Sequence, residues 1–344
     1  MKTNNSYFSR ILVILIAVMM VFTMMPSMAF AAEGSSAAET IEEPPSNLEQ
    51  SYVKWATKIS SSWNPSTSPV EFGEYLFVVA NDQLQKIDKN TGQIIAISTE
   101  SVSKANTFDY HIEKGDGKLY IQSGTKVKCF DQELNCLWTS ISFGGQQGNT
   151  PLKYVDGILY GATLNVSGTV GESGEVDKKG SFFAIDTNSA LNEQGLMPGK
   201  WEVTVASYNS KEKNYSGSYW ASATVIDNYV IFGSEGSVVY AFNKENGTIA
   251  ATYDTNTEEN RNTFGIRSGI LIANNNIYFS RNDGMIFKVP YSIEENAFKF
   301  GVGTSTKICT TATGSVSTPV LHGDRLYVSG TTSDGTKAVT AVLN

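Results

Sequence analysis

From about residue 51 onward, apolar and polar positions alternate in short runs punctuated by Gly, Asp and Asn, and one unit of this kind returns six times. Each copy has a small residue, an alternating strand, a tight turn, and a second strand carrying an aromatic residue. The copies open at Ser68, Asp109, Thr150, Ser222, Ser268 and Thr318. Their turns hold Asp116-Gly117, Asp156-Gly157, Asp227-Asn228 and Gly323-Asp324. Such residues tolerate positive φ or close their own backbone hydrogen bonds, so each copy is predicted to be a β-hairpin. Period-two alternation, or short continuous apolar runs, is what strands buried between neighbouring sheets require.

A third strand follows most hairpins and ends in an acid or Asn before a turn, as in Leu84–Asp88, Phe182–Asp186 and Val239–Asn243. A fourth strand is expected next, marked by a large residue at Leu137-Trp138, Lys200-Trp201 and Phe298–Phe300. Four antiparallel strands recurring every ~40–50 residues describe the blade of a propeller. The predicted fold is therefore all-β, a six-bladed β-propeller of four-stranded antiparallel blades. Its sixth unit ends with Ala338–Val342 as a third strand, while Tyr52–Ile59 stands before the first hairpin as an unmatched fourth strand. The expectation is that this N-terminal strand completes the last blade and removes its open edge.

The N-terminal region breaks the pattern. Lys2 and Arg10 precede an apolar run from Ile11 to Met25, and Ala29-Phe30-Ala31 follows. This predicts a secretory signal peptide over residues 1–31, too short in its apolar part to span a bilayer comfortably. No Cys stands near the cleavage position, so lipid attachment is not expected. Residues 32–50, rich in Glu, Ser, Ala and Pro, read as a disordered acidic linker, and 51–344 as the propeller. The chain is thus expected to be secreted or cell-surface, with no membrane span after signal removal, and monomeric. Loss of Lys2 and Arg10 takes the formal charge from −8 to −10. With Lys and Arg scattered through turns, a nucleic-acid partner is not expected.

The repeat resembles the pyrroloquinoline-quinone-like (PQQ-like) propeller family. The resemblance is carried by Ser68-Pro69, Thr150-Pro151 and Thr318-Pro319; Asp156-Gly157; Leu119-Tyr120 and Leu326-Tyr327; Val239-Tyr240-Ala241-Phe242-Asn243; Thr91-Gly92; and Trp55, Trp138 and Trp201. It covers about Ser51 to the end. The family includes quinone-dependent alcohol dehydrogenases and non-enzymatic scaffolds, so the resemblance implies a fold and leaves activity open. Its dehydrogenases are larger, with a vicinal Cys pair, calcium and an Asp base at the quinone. No two Cys are adjacent here and no acid stands out as such a base. The expected function is non-enzymatic binding of an extracellular protein or polysaccharide. A PQQ- and calcium-dependent alcohol dehydrogenase is the alternative; outside it no cofactor is expected.

Cys129 and Cys136 flank a turn-like segment, and either a local disulfide or two buried thiols is expected there. His111 and His322 lie at no ligand spacing from them, so no metal site is predicted. No catalytic residue is assigned. In a four-stranded blade, the loop joining strands two and three and the link to the next blade emerge on one rim. The longest insertions fall there, at 163–180 and 206–217, with 60–66, 143–149 and 254–264 on the same rim. Long loops on a rigid scaffold are where binding residues concentrate. The candidate binding residues are Trp63, Tyr208, Tyr215, Tyr219, Trp220 and Arg267.

Overall fold

The computed structural model describes residues 54–60, 67–102, 111–148, 150–168, 180–205, 208–210, 213–256, 264–308, 312–314, 317–332 and 338–343. The expected signal peptide, the acidic linker, Trp63 and Cys309 lie outside these residues. Those described contain strands and turns and no helix. Contacts divide the chain into two units, Met1–Ile59 with Lys89–Ile94, and Ser60–Asp88 with Ile95–Asn344.

The first sheet holds β1 (Val70–Phe72), β2 (Tyr75–Ala80), β3 (Gln83–Asp88) and β4 (Ile94–Ser101) in chain order. The second repeats this with β5 (Ile112–Gly115), β6 (Lys118–Ser123), β7 (Lys126–Phe130) and β8 (Cys136–Thr139). In the third, β9 (Lys153–Val155) and β10 (Ile158–Ala162) are separated in sequence from β12 (Ser181–Asp186) and β13 (Trp201–Thr204) by β11 (Leu164–Gly168). That strand leaves the blade and forms a side sheet with β15 (Lys213–Gly217) and β14 (Tyr208–Ser210).

The fourth sheet is β16 (Thr224–Ile226), β17 (Tyr229–Gly233), β18 (Val238–Asn243) and β19 (Ile249–Asp254). The fifth comprises β20 (Leu271–Ala273), β21 (Asn276–Ser280), the long β22 (Met285–Glu294), β23 (Ala297–Phe300) and β24 (Thr304–Lys307). The sixth holds β25 (Ala312–Gly314), β26 (Val320–His322), β27 (Arg325–Thr332) and β28 (Ala338–Leu343).

All six predicted hairpins form, antiparallel, with Asp116, Asp156, Asp227, Asn274 and Asn275 at positive φ in their turns. Consecutive sheets bury their faces against each other. Phe77, Val79 and Leu84 pack on Ile112, Leu119 and Ile121, and Val127 and Cys129 of the second sheet on Leu159 and Phe183 of the third. Tyr160 and Phe182 meet Phe232 and Phe242, Ile231 and Val239 meet Ile277 and Phe279, and Ile286 meets Leu326 and Val328. The second to fifth sheets are therefore apolar on two faces, which explains the continuous apolar runs in their central strands.

Two expectations are corrected, and one alternative left open is met. Phe298 and Phe300 do not lie on the fourth strand of the fifth blade: β23 folds back on the distal half of β22, and β24 pairs the proximal half as the fourth strand. The long insertions of the third blade are not simple loops, because β11, β14 and β15 pair. Of the two alternatives for Cys129 and Cys136, a local disulfide or two thiols, the structure holds free thiols, Cys129 buried and Cys136 half-buried. In the ladder Cys129 stands opposite Trp138 and Cys136 opposite Phe130, with a bulge between. Paired residues share a face, so the two thiols point to opposite sides of the blade: Cys129 into the core with the third sheet, Cys136 against the core with the first.

A tryptophan dock appears twice. Within the larger unit, Trp201 on β13 donates its indole N–H to Lys244 O at 2.9 Å and covers Gly247, whose φ is +71°. A Cβ on Gly247 would stand 2.7 Å from the indole, so only glycine fits beneath the ring. Within the smaller unit, Trp55 donates to Lys89 O at 3.0 Å over Gly92, with φ +73° and the same exclusion of a Cβ at 2.6 Å. Thr57 Oγ1 donates to Gly92 O. Residues 54–59 alternate exposed and half-buried as a strand does, but form no ladder among the described residues, where β28 pairs with β27 alone.

Candidate functional site at the long-loop rim

The loops between second and third strands are hydrogen-bonded to the links between sheets, as the blade geometry requires. Ser218 N donates to Thr163 O, Glu235 N to Gly217 O, Ile266 N to Ser234 O, and Asn282 N to Gly265 O, at 2.9–3.1 Å. Leu164 N donates to Gln147 O, tying the link after the second sheet to the side sheet. The side sheet thus grows from one loop of each kind.

At this rim the link before β16 sets Tyr219 and Trp220 side by side, their ring centroids 4.2 Å apart and their planes 29° from parallel. The guanidinium of Arg267, from the link before β20, lies 4.9 Å from the Tyr219 ring centre and 5.5 Å from that of Trp220. Its Nε and Nη2 donate to Oε1 and Oε2 of Glu235, each at 2.9 Å. Glu235 sits in the β17–β18 turn and is only 2 % exposed. A Cβ on Gly265 would come within 2.2 Å of its carboxylate, so the absence of a side chain there admits the ion pair.

A fork-to-fork pair with a buried carboxylate fixes the guanidinium plane, and the plane in turn orients the two rings by cation–π attraction. Trp220 itself has φ +63° and is the only aromatic residue with positive φ among those described. For a bulky side chain that region is strained, and strain of this kind gathers at functional positions. Its indole Nε1 is buried with no hydrogen-bond partner, whereas the indoles of Trp55 and Trp201 are both satisfied.

Of the six candidate binding residues, the fold brings three together: Tyr219, Trp220 and Arg267. Tyr208 and Tyr215 stand opposite each other in the β14–β15 ladder of the side sheet. Glu235, which orders the cluster, was not foreseen. It lies in Ser234-Glu235-Gly236-Ser237, where an acid reads as an ordinary turn residue unless its partner 32 positions away is known. Among the described residues no grouping of three or more His, Cys, Asp or Glu could hold a metal ion.

No family model matches the chain, and no curated protein matches it. Solved structures do. BamB from Moraxella catarrhalis is similar at 14% identity over 80% of this chain and 71% of that one, with a TM-score of 0.50. The quinohemoprotein alcohol dehydrogenase ADHIIG from Pseudomonas putida HK5 is similar at 9% identity over 77% and 50%, with a TM-score of 0.52. The quinohemoprotein alcohol dehydrogenase from Comamonas testosteroni is similar at 13% identity over 77% and 51%, with a TM-score of 0.50. The chain spans about half the length of the two dehydrogenases. These are β-propellers of the PQQ-like fold, and the likeness extends to the all-β architecture described above.

Proposed function

We propose that this chain is a secreted, non-enzymatic binding propeller that holds an extracellular protein or polysaccharide on its long-loop rim, at Tyr219, Trp220 and Arg267. The observation that carries the reading is Trp220: strained backbone, buried and unpartnered indole N–H, and a ring clamped by an ion pair whose carboxylate is buried. A residue serving only as packing would be expected in a relaxed conformation with its N–H satisfied.

The same reading includes a ring of six blades closed by the N-terminal strand. Its support is the repeated dock. Trp201, on a fourth strand, covers the turn after the third strand of the following blade; Trp55 covers the equivalent turn of the first blade through the same contacts. On this reading the N-terminal strand bearing Trp55 serves as the fourth strand of the last blade.

Wild-type chain, Trp220→Ala, Arg267→Ala and the opposite-rim variant Asn188→Ala, tested for retention on extracellular polysaccharides and for capture of extracellular proteins, decide the binding reading. Retention by wild type and Asn188→Ala, with at least a tenfold loss in the two rim variants, is expected. Loss in Asn188→Ala alone would overturn it. Titration with pyrroloquinoline quinone and calcium, followed by absorption and dye-linked alcohol oxidation, is expected to give no stoichiometric complex; turnover would make the chain a dehydrogenase.

A further inference from the structure

We infer that the rim beside Trp220 contains a subsite for a neutral saccharide, built from Gln122, Asn165, Ser218 and the Trp220 indole. The inference rests on the long-loop rim being the binding face and adds to it the class of ligand.

Three polar residues from different elements lie on or are bonded to Ala162–Asn165. Gln122, at the end of β6 and 6 % exposed, donates through Nε2 to Ala162 O at 2.8 Å. Ser218 is fully buried, and its backbone N–H donates to Thr163 O at 3.1 Å. Asn165, 1 % exposed, stands opposite Ser216 in the side sheet. Gln122 Oε1, Asn165 Oδ1 and Nδ2, and Ser218 Oγ are all buried without a partner, and Trp220 Nε1, two residues beyond Ser218, is the fifth such atom.

A buried polar group left unpaired costs about 1–3 kcal/mol, and native folds keep few of them. Four on residues tied to one short stretch, with the fifth two residues beyond Ser218, mark a place where a bound molecule completes the hydrogen bonds. Their chemistry selects it. Gln122 Oε1 accepts, the indole N–H donates, and the Asn165 amide and Ser218 hydroxyl each do both. A phosphate or carboxylate would call for donors alone and a metal ion for acceptors alone.

Mixed neutral groups suit sugar hydroxyls, each of which also donates and accepts, and the adjacent Tyr219–Trp220 pair offers a ring surface for the apolar face of a pyranose. A peptide added as a strand is disfavoured at β11. That strand is already paired with β15 on one side and bridged to Gln147 on the other.

The test is isothermal titration of the full chain with cellobiose, maltose and N,N′-diacetylchitobiose, repeated for Gln122→Ala, Asn165→Ala, Ser218→Ala and Trp220→Ala, with melting temperatures recorded. At least one disaccharide is expected to bind wild type, with a tenfold or greater loss in Asn165→Ala and Trp220→Ala. Ser218→Ala removes an unpaired hydroxyl, so its melting temperature is expected to hold while its affinity falls.

Should Asn165→Ala fail to fold, Gln122→Ala and Ser218→Ala carry the same comparison. Binding by none of the three sugars, or binding indifferent to all four substitutions, would overturn the inference. If Ser218→Ala lowered the melting temperature and left sugar affinity unchanged, the unpaired atoms would hold internal water and the subsite would fall. A rim that captured a protein through Trp220 but no sugar would refute the saccharide and leave the binding reading intact.

Discussion

Trp201 stands on the strand before the link between the third and fourth sheets and Trp220 lies within that link, and the fold treats them in opposite ways. Trp201 lies on a strand, 7 % exposed, its N–H bonded to Lys244 O and its ring flat against a glycine that only a glycine can replace. Trp220 lies in the link with a left-handed backbone, its N–H unbonded and the Arg267 guanidinium over its ring. One indole is consumed by the joint between blades; the other is kept in place with part of its bonding capacity unused. Residue type and burial alone do not separate a structural aromatic from a recognition aromatic, but the satisfaction of the polar atom and the ease of the backbone do.

The largest effect should come from breaking the joint. Trp201→Ala is expected to cost about 3–5 kcal/mol of stability by denaturant unfolding, through lost burial and an unfilled cavity, with ligand affinity per folded molecule unchanged. An affinity loss matching that of Trp220→Ala would erase the distinction between the two tryptophans.

Next in size, Trp220→Ala is expected to reduce binding at least tenfold while changing stability by less than about 1 kcal/mol. Removing the buried, unpaired indole N–H, whose desolvation costs about 1–3 kcal/mol, offsets part of the lost packing. Stability falling as far as in Trp201→Ala would show the rim aromatic to be structural.

A smaller contrast is chemical. Burial pushes the Cys129 thiol up to about 12, so on brief treatment with iodoacetamide at pH 8 the native chain should leave Cys129 unmodified and the unfolded chain should alkylate it fully. Labelling of the native thiol, or a peptide mass two hydrogens light for a Cys129–Cys136 bridge, would contradict the packing described.

The smallest effect concerns Glu113, whose carboxylate accepts the Tyr154 N–H at 2.8 Å and whose pKa is raised chiefly by burial, against lowering by that bond and by Lys153 and Lys114. A carboxyl with a folded pKa above its unfolded one contributes stability below the unfolded value and loses it as pH rises through the folded value. Glu113→Gln is therefore expected to raise the melting temperature at pH 7 by about 1–2 °C and to leave it unchanged below about pH 4. A variant less stable at pH 7 would reverse the sign.

The hairpins were legible because their turns carry Asp, Asn and Gly at the positions that need positive φ and because their strands alternate. The fourth strand of the fifth blade was not. Thr304–Lys307 is exposed along its whole length and holds no large apolar residue, so the hydrophobic pattern passes over it. Phe298 and Phe300 attract the assignment instead, and the Glu295-Asn296 turn that folds them back, with φ of +51° and +61°, includes a glutamate that gives no turn signal.

The side sheet escaped notice for a similar reason. Asn209, Ser210, Lys213, Asn214 and Ser216 offer its strands little apolar alternation. At the rim the aromatics and Arg267 could be read from loop length, while the buried Glu235 partner could not, since pairing across 32 residues is set by the blade geometry and leaves no local trace.

Hydrogen–deuterium exchange of the full-length chain, with and without the ligand recovered by wild-type protein, tests the central claim most directly. Slowed exchange on binding is predicted at 217–220, 234–237 and 264–268, with the hairpin turns around Asp116 and Asp156 unchanged. Protection confined to those turns, with the segment bearing Trp220 unaffected, would place recognition on the other rim and contradict the account.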